Sequence, residues 1–172
     1  MEKIVESGKK TMLNGKILVV YYSRGGNTRY VAEEISQRLG SDVDIVSAES
    51  NGKRSSFDAI RDPSKYNLVI VGTPVNGFTV SKPVSEYLKK YKGKFNEIAT
   101  YATYSLWPAN TLNKMAQLSG KTPIASAIFK SRDIKLRQIS KKMECFIDLI
   151  TTNYPIYELS PQFIQLAECV GM

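Results

Sequence analysis

Runs of consecutive apolar residues constrain the fold of this chain more than any other feature. Residues 16–22 read KILVVYY and residues 67–72 read NLVIVG, so both faces of each predicted strand would be largely apolar. Strands of this kind lie in the middle of a parallel sheet that helices cover on both faces. Three further strands are predicted at residues 43–48, 97–103 and 123–129.

Apolar residues at helical spacing separate and follow these strands. They form stripes within residues 31–39, 80–91, 112–118 and 136–150, and the polar segment 49–66 is predicted to hold a loop and a short helix. Strands that alternate with helices are joined by right-handed crossovers. The chain is therefore predicted to form an α/β fold, a three-layer, doubly wound, five-stranded parallel sheet.

The chain length of 172 residues suits one domain. We expect this domain to span residues 16–150, after an N-terminal extension at residues 1–15. Residues 151–172 contain many apolar side chains, so we expect them to pack on the domain as a C-terminal tail.

The absence of histidine excludes several kinds of catalytic site. Nucleophilic sites of the Ser-His-Asp and Cys-His kinds need an imidazole as the proton acceptor. The two cysteines, Cys145 and Cys169, have no histidine with which to form a Cys/His metal site. We predict no catalytic residue and no metal ligand. Any chemistry would have to come from a bound cofactor, from carboxylates, or from Tyr and Lys.

The sequence also contains no membrane or export signal that we recognise. No apolar run is near the ~20 residues that span a bilayer. The first residues, MEKIVESGKKTMLNGK, lack the apolar centre of a secretory signal. We expect a cytoplasmic protein.

A glycine-containing loop, residues 23–28 with the sequence SRGGNT, follows the first predicted strand. Gly25 and Gly26 allow a tight turn and a close approach of the backbone to a ligand. The N-terminus of the next helix offers unpaired N–H groups and a positive dipole end, which suit a phosphate. An ordinary capped turn would carry the same residue types. The P-loop and GxGxxG patterns are absent from this loop.

Two segments resemble the flavodoxin-like family. YYSRGGNTRYVAEEI, residues 21–35, is similar to the loop that wraps the FMN phosphate in that family. VIVGTPVNGFTVSKPVSEYL, residues 69–88, is similar to the loop that contacts the flavin ring, and the strand spacing agrees over residues 16–150. The resemblance implies the strand order 2-1-3-4-5 and FMN as the cofactor, held at the carboxyl ends of the strands.

The resemblance also implies which residues contact the cofactor. The phosphate loop would comprise Ser23, Arg24, Gly25, Gly26, Asn27 and Thr28. The second loop, beside the isoalloxazine ring, would comprise Thr73, Pro74, Val75, Asn76, Gly77 and Phe78. The third loop, on the other side of the ring, would comprise Ala102, Thr103, Tyr104 and Ser105.

Two positions depart from the family pattern. Gly25 stands where the family often has Thr, and Asn76 stands where many relatives have a Trp that stacks on the flavin. Phe78, Tyr104 or Trp107 would be available to stack on the ring instead, because a flat apolar ring gains from contact with any aromatic side chain.

The resemblance implies an FMN-binding redox protein that transfers electrons. Two alternatives remain open: an NAD(P)H-dependent FMN/quinone oxidoreductase, and a flavin-free interaction protein of the same fold. The net charge is +8, with basic clusters within residues 89–94 and 132–142. This charge either attracts an acidic redox partner protein or serves solubility alone. A homodimer remains open, and neither a nucleic-acid partner nor a membrane span is expected.

Overall fold

The computed structural model describes residues 15–46 and 61–154. Strands and helices alternate through these residues as the apolar runs and stripes predict, except that Val80, at the start of the second helical stripe, lies in a short strand before the helix. The elements are β1 (Ile17–Tyr21), α1 (Asn27–Leu39), β2 (Asp42–Ile45), a 3₁₀ turn (Pro63–Lys65), β3 (Leu68–Asn76), β4 (Thr79–Val80), α2 (Lys82–Lys90), β5 (Glu97–Tyr104), α3 (Thr111–Ser119), β6 (Ala125–Lys130), α4 (Ser131–Lys135) and α5 (Ser140–Asn153).

Five of these strands form a parallel sheet in the order β2-β1-β3-β5-β6. The central strand β3 pairs with β1 on one side and with β5 on the other. The short strand β4 pairs antiparallel with the end of β3, so it forms a hairpin outside the parallel order. The predicted order 2-1-3-4-5 counts the parallel strands alone, and it is confirmed.

Helices cover both faces of the sheet. Val19 packs in a core with α1 and α5, to which α5 contributes Phe146. Val20 packs in a second core with α2 and α3, to which these helices contribute Tyr87 and Met115. Successive residues of a strand point to opposite faces, so neighbouring valines of β1 lie in different cores. The predicted three-layer arrangement is therefore confirmed.

The prediction of one last helix over residues 136–150 is wrong at its start. The backbone at Arg137 has a φ of 57°, a left-handed conformation that separates α4 from α5. Leu136 lies between the two helices and is 55% exposed, although its spacing to Ile139 and Met143 fits an apolar helical stripe. The Arg137 guanidinium instead lies 3.8 Å from the centre of the Tyr30 ring on α1. The turn between α4 and α5 therefore packs against α1.

Two strands end several residues away from their predicted ends. β3 continues past residue 72 to Asn76, because Thr73 and Pro74 still pair with β5 while Val75 and Asn76 pair with β4. β2 ends at Ile45, and the last two residues of its predicted range, 47–48, lie outside the described part of the chain.

Several other expectations fall outside the described residues. They concern the N-terminal extension, most of the polar segment, the C-terminal tail beyond residue 154, and Cys169. Cys145 is described, and it is an exposed free thiol on α5. Within residues 15–46 and 61–154, every helix falls short of the length and apolar character that a membrane span requires.

Candidate functional site

The loop between β1 and α1 presents the start of a helix without a side-chain cap. Gly26 is the N-cap residue, with a φ of 87°, and it has no side chain with which to cap the N–H groups of the first turn. The Gly26 N–H donates to Ser23 Oγ at 3.1 Å, which closes the loop. Asn27 and Thr28 are the first helical residues, so their N–H groups have no partner within the helix. This arrangement concentrates backbone donors and the positive end of the helix dipole at one place.

Space is open beside the two glycines of this loop. A Cβ atom added at Gly25 or Gly26 would meet nothing within 4 Å. Gly26 needs its positive φ, whereas Gly25 lies outside the left-handed region. A group the size of a phosphate could therefore approach the backbone here without meeting a side chain.

The start of α1 is fixed to β5 by two buried hydrogen bonds. The Tyr101 hydroxyl donates to the Thr28 carbonyl oxygen at 3.0 Å. The Thr28 and Thr103 hydroxyl oxygens lie 2.8 Å apart. Thr28 is only 1% exposed, so its side chain belongs to the anchor as well as to the loop.

The Tyr101 ring lies against β3 at Gly72. These two residues are paired across the parallel strands. A Cβ atom at Gly72 would overlap the end of the Tyr101 ring. Glycine at this position therefore makes the room that the ring occupies. Burial raises the pKa of Tyr101 well above its ordinary value, so its hydroxyl stays a proton donor at physiological pH.

The hairpin of β3 and β4 forms a second wall of the site. Asn76 and Thr79 pair across it and leave Gly77 and Phe78 as the two turn residues. Both have positive φ values, 55° and 64°, as two-residue hairpins require. Phe78 is 62% exposed at the tip. The sequence therefore presents an aromatic ring to solvent at the carboxyl end of the central strand.

Two buried hydroxyls connect this hairpin to the start of α2. The Ser81 N–H donates to Thr73 Oγ1 at 3.1 Å, and the two hydroxyl oxygens lie 2.9 Å apart. Ser81 is the residue that precedes α2. Thr73 thus holds the base of the hairpin from inside the core.

The loop after β5 forms the third wall. Leu106 and Trp107 lie in it and are 87% and 66% exposed. The Ser105 hydroxyl donates to the Ser131 hydroxyl at 3.2 Å, which joins this loop to the end of β6 and the start of α4. Two large apolar side chains of this loop thus line the cleft.

The three loops enclose a cleft of about 400 Å³ at the carboxyl ends of the strands. Its walls combine backbone and hydroxyl donors on one side with aromatic side chains on the other two. Among the described residues that line it, Arg24 carries the one charged side chain. The lining residues are Ser23, Arg24, Gly25, Asn27, Thr28, Pro74, Val75, Asn76, Gly77, Phe78, Thr103, Tyr104, Ser105, Leu106, Trp107 and Ser131.

A metal centre has no support in the part of the chain that the structure describes. No group of three or more His, Cys, Asp and Glu side chains is close enough there to hold an ion. What the cleft offers is a set of donors for an anion beside surfaces for a flat apolar group.

A model of the flavodoxin domain matches residues 18–130. This range contains all three loops of the cleft and all five parallel strands except the first residue of β1. The chain belongs to the flavodoxin family. The resemblance carried by the first two loops is thereby confirmed.

Solved structures of several other proteins share this fold. A flavoprotein in complex with FMN from Lactobacillus acidophilus has 20% identity, covers 72% of this chain and 97% of its own, and has a TM-score of 0.57. The Trp repressor binding protein of Bacillus subtilis has 15% identity, coverages of 76% and 99%, and a TM-score of 0.58. A flavodoxin, WrbA-like protein from Agrobacterium tumefaciens has 16% identity, coverages of 81% and 99%, and a TM-score of 0.55. No curated protein matches the sequence.

Most of the residues that the sequence predicted to hold the cofactor line the cleft. Three of them do not line it: Gly26 sets the turn, Thr73 is buried under the hairpin, and Ala102 is buried in β5. The N-cap residue of α1 is Gly26, and Asn27 is the first residue of the helix.

Two lining residues, Leu106 and Ser131, were not considered from the sequence. Leu106 follows the predicted third loop directly, so a longer loop would have included it. Ser131 follows β6, and the rule that ligands lie at the carboxyl ends of parallel strands was enough to find it.

Proposed function

We propose that this protein binds FMN in the cleft and transfers electrons through it. The main support for this proposal is that one cleft of about 400 Å³ contains both an anion-binding loop and exposed aromatic side chains. The uncapped helix start at Gly26 suits a phosphate, and the walls that carry Phe78 and Trp107 suit a flat ring. FMN has a phosphate at one end and a flat ring at the other.

The phosphate end of the cleft fits its proposed ligand in charge as well as in shape. Backbone N–H groups at Asn27 and Thr28 would donate to phosphate oxygens, with the hydroxyl of Ser23 beside them. Arg24 adds a positive charge, and no carboxylate is found among the described lining residues. Hydrogen bonds to a charged group contribute about 1.5–3 kcal/mol each.

The ring end of the cleft would hold the isoalloxazine between two loops. Phe78 and Trp107 are both more than half exposed, so neither is committed to the protein core. Covering them with the ring would remove apolar surface from water and add aromatic contact. When bound, the flavin supplies the electron-transfer chemistry, while the protein orients it and limits its contact with water. The flavoprotein from Lactobacillus acidophilus that shares this fold is in complex with FMN, which supports the choice of cofactor.

A titration of the flavin-free protein with FMN, FAD and riboflavin tests this proposal. We expect FMN to bind most tightly, and riboflavin to bind more weakly by about 10- to 100-fold, because it lacks the phosphate. Flavin fluorescence and the absorption of the bound flavin report the affinities. Equal affinity for FMN and riboflavin would show that the loop does not recognise phosphate, and no affinity for any flavin would favour an interaction protein of this fold.

An oxidoreductase that serves a small acceptor is the second candidate. Leu106 is 87% exposed at the edge of the cleft, where it would offer an apolar contact to a planar quinone beside the bound flavin. Oxidation of NADPH by the FMN-loaded protein, with a quinone and without a second protein, would favour this enzyme over a carrier.

For the electron carrier, we propose an acidic protein partner that docks beside the cleft. A groove between α2 and α3 shares Asn76 with the cleft, and Lys82, Lys89 and Lys114 line it with one acid, Glu86. Arg137 lies apart from this groove, because its guanidinium contacts the Tyr30 ring on α1, on the opposite face of the sheet.

Charge reversal at this groove tests the docking surface. We expect Lys89→Glu with Lys114→Glu to slow oxidation of the reduced protein by ferricyanide several-fold at low ionic strength, because an anionic acceptor loses its electrostatic attraction. The effect should fade at high salt, where charges are screened within about 8 Å or less. The matched control is Lys141→Glu with Lys142→Glu, two exposed residues of α5 on the opposite face of the sheet. Equal slowing by both pairs would assign the effect to net charge and contradict a local docking surface.

A further inference from the structure

Tyr101 is a buried polar side chain whose hydroxyl points at the phosphate loop. The residue is fully buried in the core between the sheet and α1. Its hydroxyl donates to the Thr28 carbonyl oxygen at 3.0 Å. A phenylalanine would fill the same apolar space without the need for a hydrogen-bond partner, so the hydroxyl itself calls for an explanation.

The ring has little freedom to move. Its end occupies the space left by the absent side chain of Gly72. The Phe129 ring contacts it edge to face, with 6.3 Å between ring centres. A hydroxyl held on a fixed ring gives a fixed position to the carbonyl that it binds.

The Thr28 carbonyl lies in the first turn of α1, next to the N–H groups that would bind phosphate. Holding this carbonyl sets the distance of the first turn from β5, and therefore where those N–H groups lie in the cleft. The contact between the Thr28 and Thr103 hydroxyls holds the same turn against β5 through the side chain of Thr28. Binding sites lose affinity when their donors are displaced by even about 0.5 Å from the productive geometry.

We propose that Tyr101 is a positioning residue for the FMN phosphate, acting through the Thr28 carbonyl. This role rests on the proposed function of the cleft. A positioning role differs from a general contribution to core stability, because it affects the binding of the phosphate and leaves the binding of the flavin ring unchanged.

The test is Tyr101→Phe, which removes the hydroxyl and keeps the ring. We expect the affinity for FMN to fall about fivefold to tenfold and the affinity for riboflavin to change less than about twofold, since one ordinary hydrogen bond is lost. In the flavin-free variant, hydrogen exchange of the amides at residues 30–32, the first that are hydrogen-bonded within α1, should accelerate, because the first turn has lost an anchor.

The matched control is Tyr87→Phe. Tyr87 is equally buried, in the core on the other face of the sheet, and its hydroxyl has no hydrogen-bond partner among the described residues. This variant should leave both flavin affinities and the exchange at residues 30–32 unchanged.

The following outcomes would overturn the proposal. An equal loss of affinity for FMN and riboflavin in Tyr101→Phe would show a structural role only, and unchanged affinities would show no role; either overturns the proposal. Exchange at residues 30–32 that does not change would overturn it independently of any flavin. Failure of the natural protein to bind FMN would overturn the proposed function, and with it this role.

Discussion

Replacing Gly25 by aspartate is expected to weaken FMN binding on the order of 100-fold and to leave riboflavin binding nearly unchanged. Gly25 lines the cleft, and a Cβ atom there would meet nothing within 4 Å, so the new side chain fits. Its carboxylate would share the space proposed for the phosphate. Two like charges about 5–6 Å apart repel by about 3 kcal/mol at an effective dielectric constant near 20. The affinities of the two flavins, measured by fluorescence titration, check this expectation.

Gly25→Asn is the control for this change. Asparagine has nearly the shape of aspartate without its charge, so it should cost much less FMN affinity. A similar loss in both variants would mean that the side chain blocks the cleft by its bulk. An unchanged FMN affinity in Gly25→Asp would place the phosphate away from this loop.

Replacing Gly72 by alanine is expected to lower the free energy of unfolding by about 1–3 kcal/mol, because the new methyl group would overpack the core against Tyr101. Loss of the Tyr101–Thr28 hydrogen bond would add about 1 kcal/mol. The ring must move, so FMN affinity should fall as well. Urea unfolding, followed by circular dichroism in the absence of flavin, gives the change in stability.

Gly25→Ala is the control for removing a glycine, because its methyl group would face open space. It should be neutral or slightly stabilising, since alanine reduces the entropy of the unfolded chain. Adding Tyr101→Leu to Gly72→Ala should cost less than the sum of the two single changes, as expected for residues in contact. Additive costs would show that the methyl group and the ring do not meet.

The sheet could be predicted from the sequence because its strands are buried on both faces. Leu18, Val19 and Val20 are all fully buried, and a strand with apolar residues on both faces has its place only inside a covered sheet. The periodicity of α1 was equally informative, because Val31, Ala32, Ile35 and Leu39 form one buried stripe that Gly40 ends in a left-handed conformation.

The break before α5 could not be predicted in the same way. Leu136, Ile139 and Met143 have helical spacing, yet Leu136 lies outside both helices and is exposed. The break depends on a left-handed backbone at Arg137, a residue with no intrinsic preference for it. The stacking of Arg137 on Tyr30 is a tertiary contact that no local pattern contains.

The loops of the cleft were predictable, whereas their supports were not. Glycine, serine, asparagine and threonine after a strand indicate an anion-binding turn by their chemistry alone. The pairing of Gly72 with Tyr101 depends on the register of two strands that are distant in sequence. Unless that register is known, the sequence does not show that Tyr101 lies beside Gly72 or that its hydroxyl reaches Thr28.

The anchoring of α1 to β5 affects when the phosphate loop reaches its final geometry during folding. The Thr28 carbonyl accepts from the Tyr101 hydroxyl, and the Thr28 hydroxyl contacts that of Thr103, so these contacts join residues separated by 73 and 75 positions along the chain. Closing so long a segment costs conformational entropy, and such contacts form slowly during folding. A nascent chain that has produced β1 and α1 therefore holds the residues of the loop without their final geometry. Competence to capture an anion at this loop arises late, once β5 has joined the sheet beside β3.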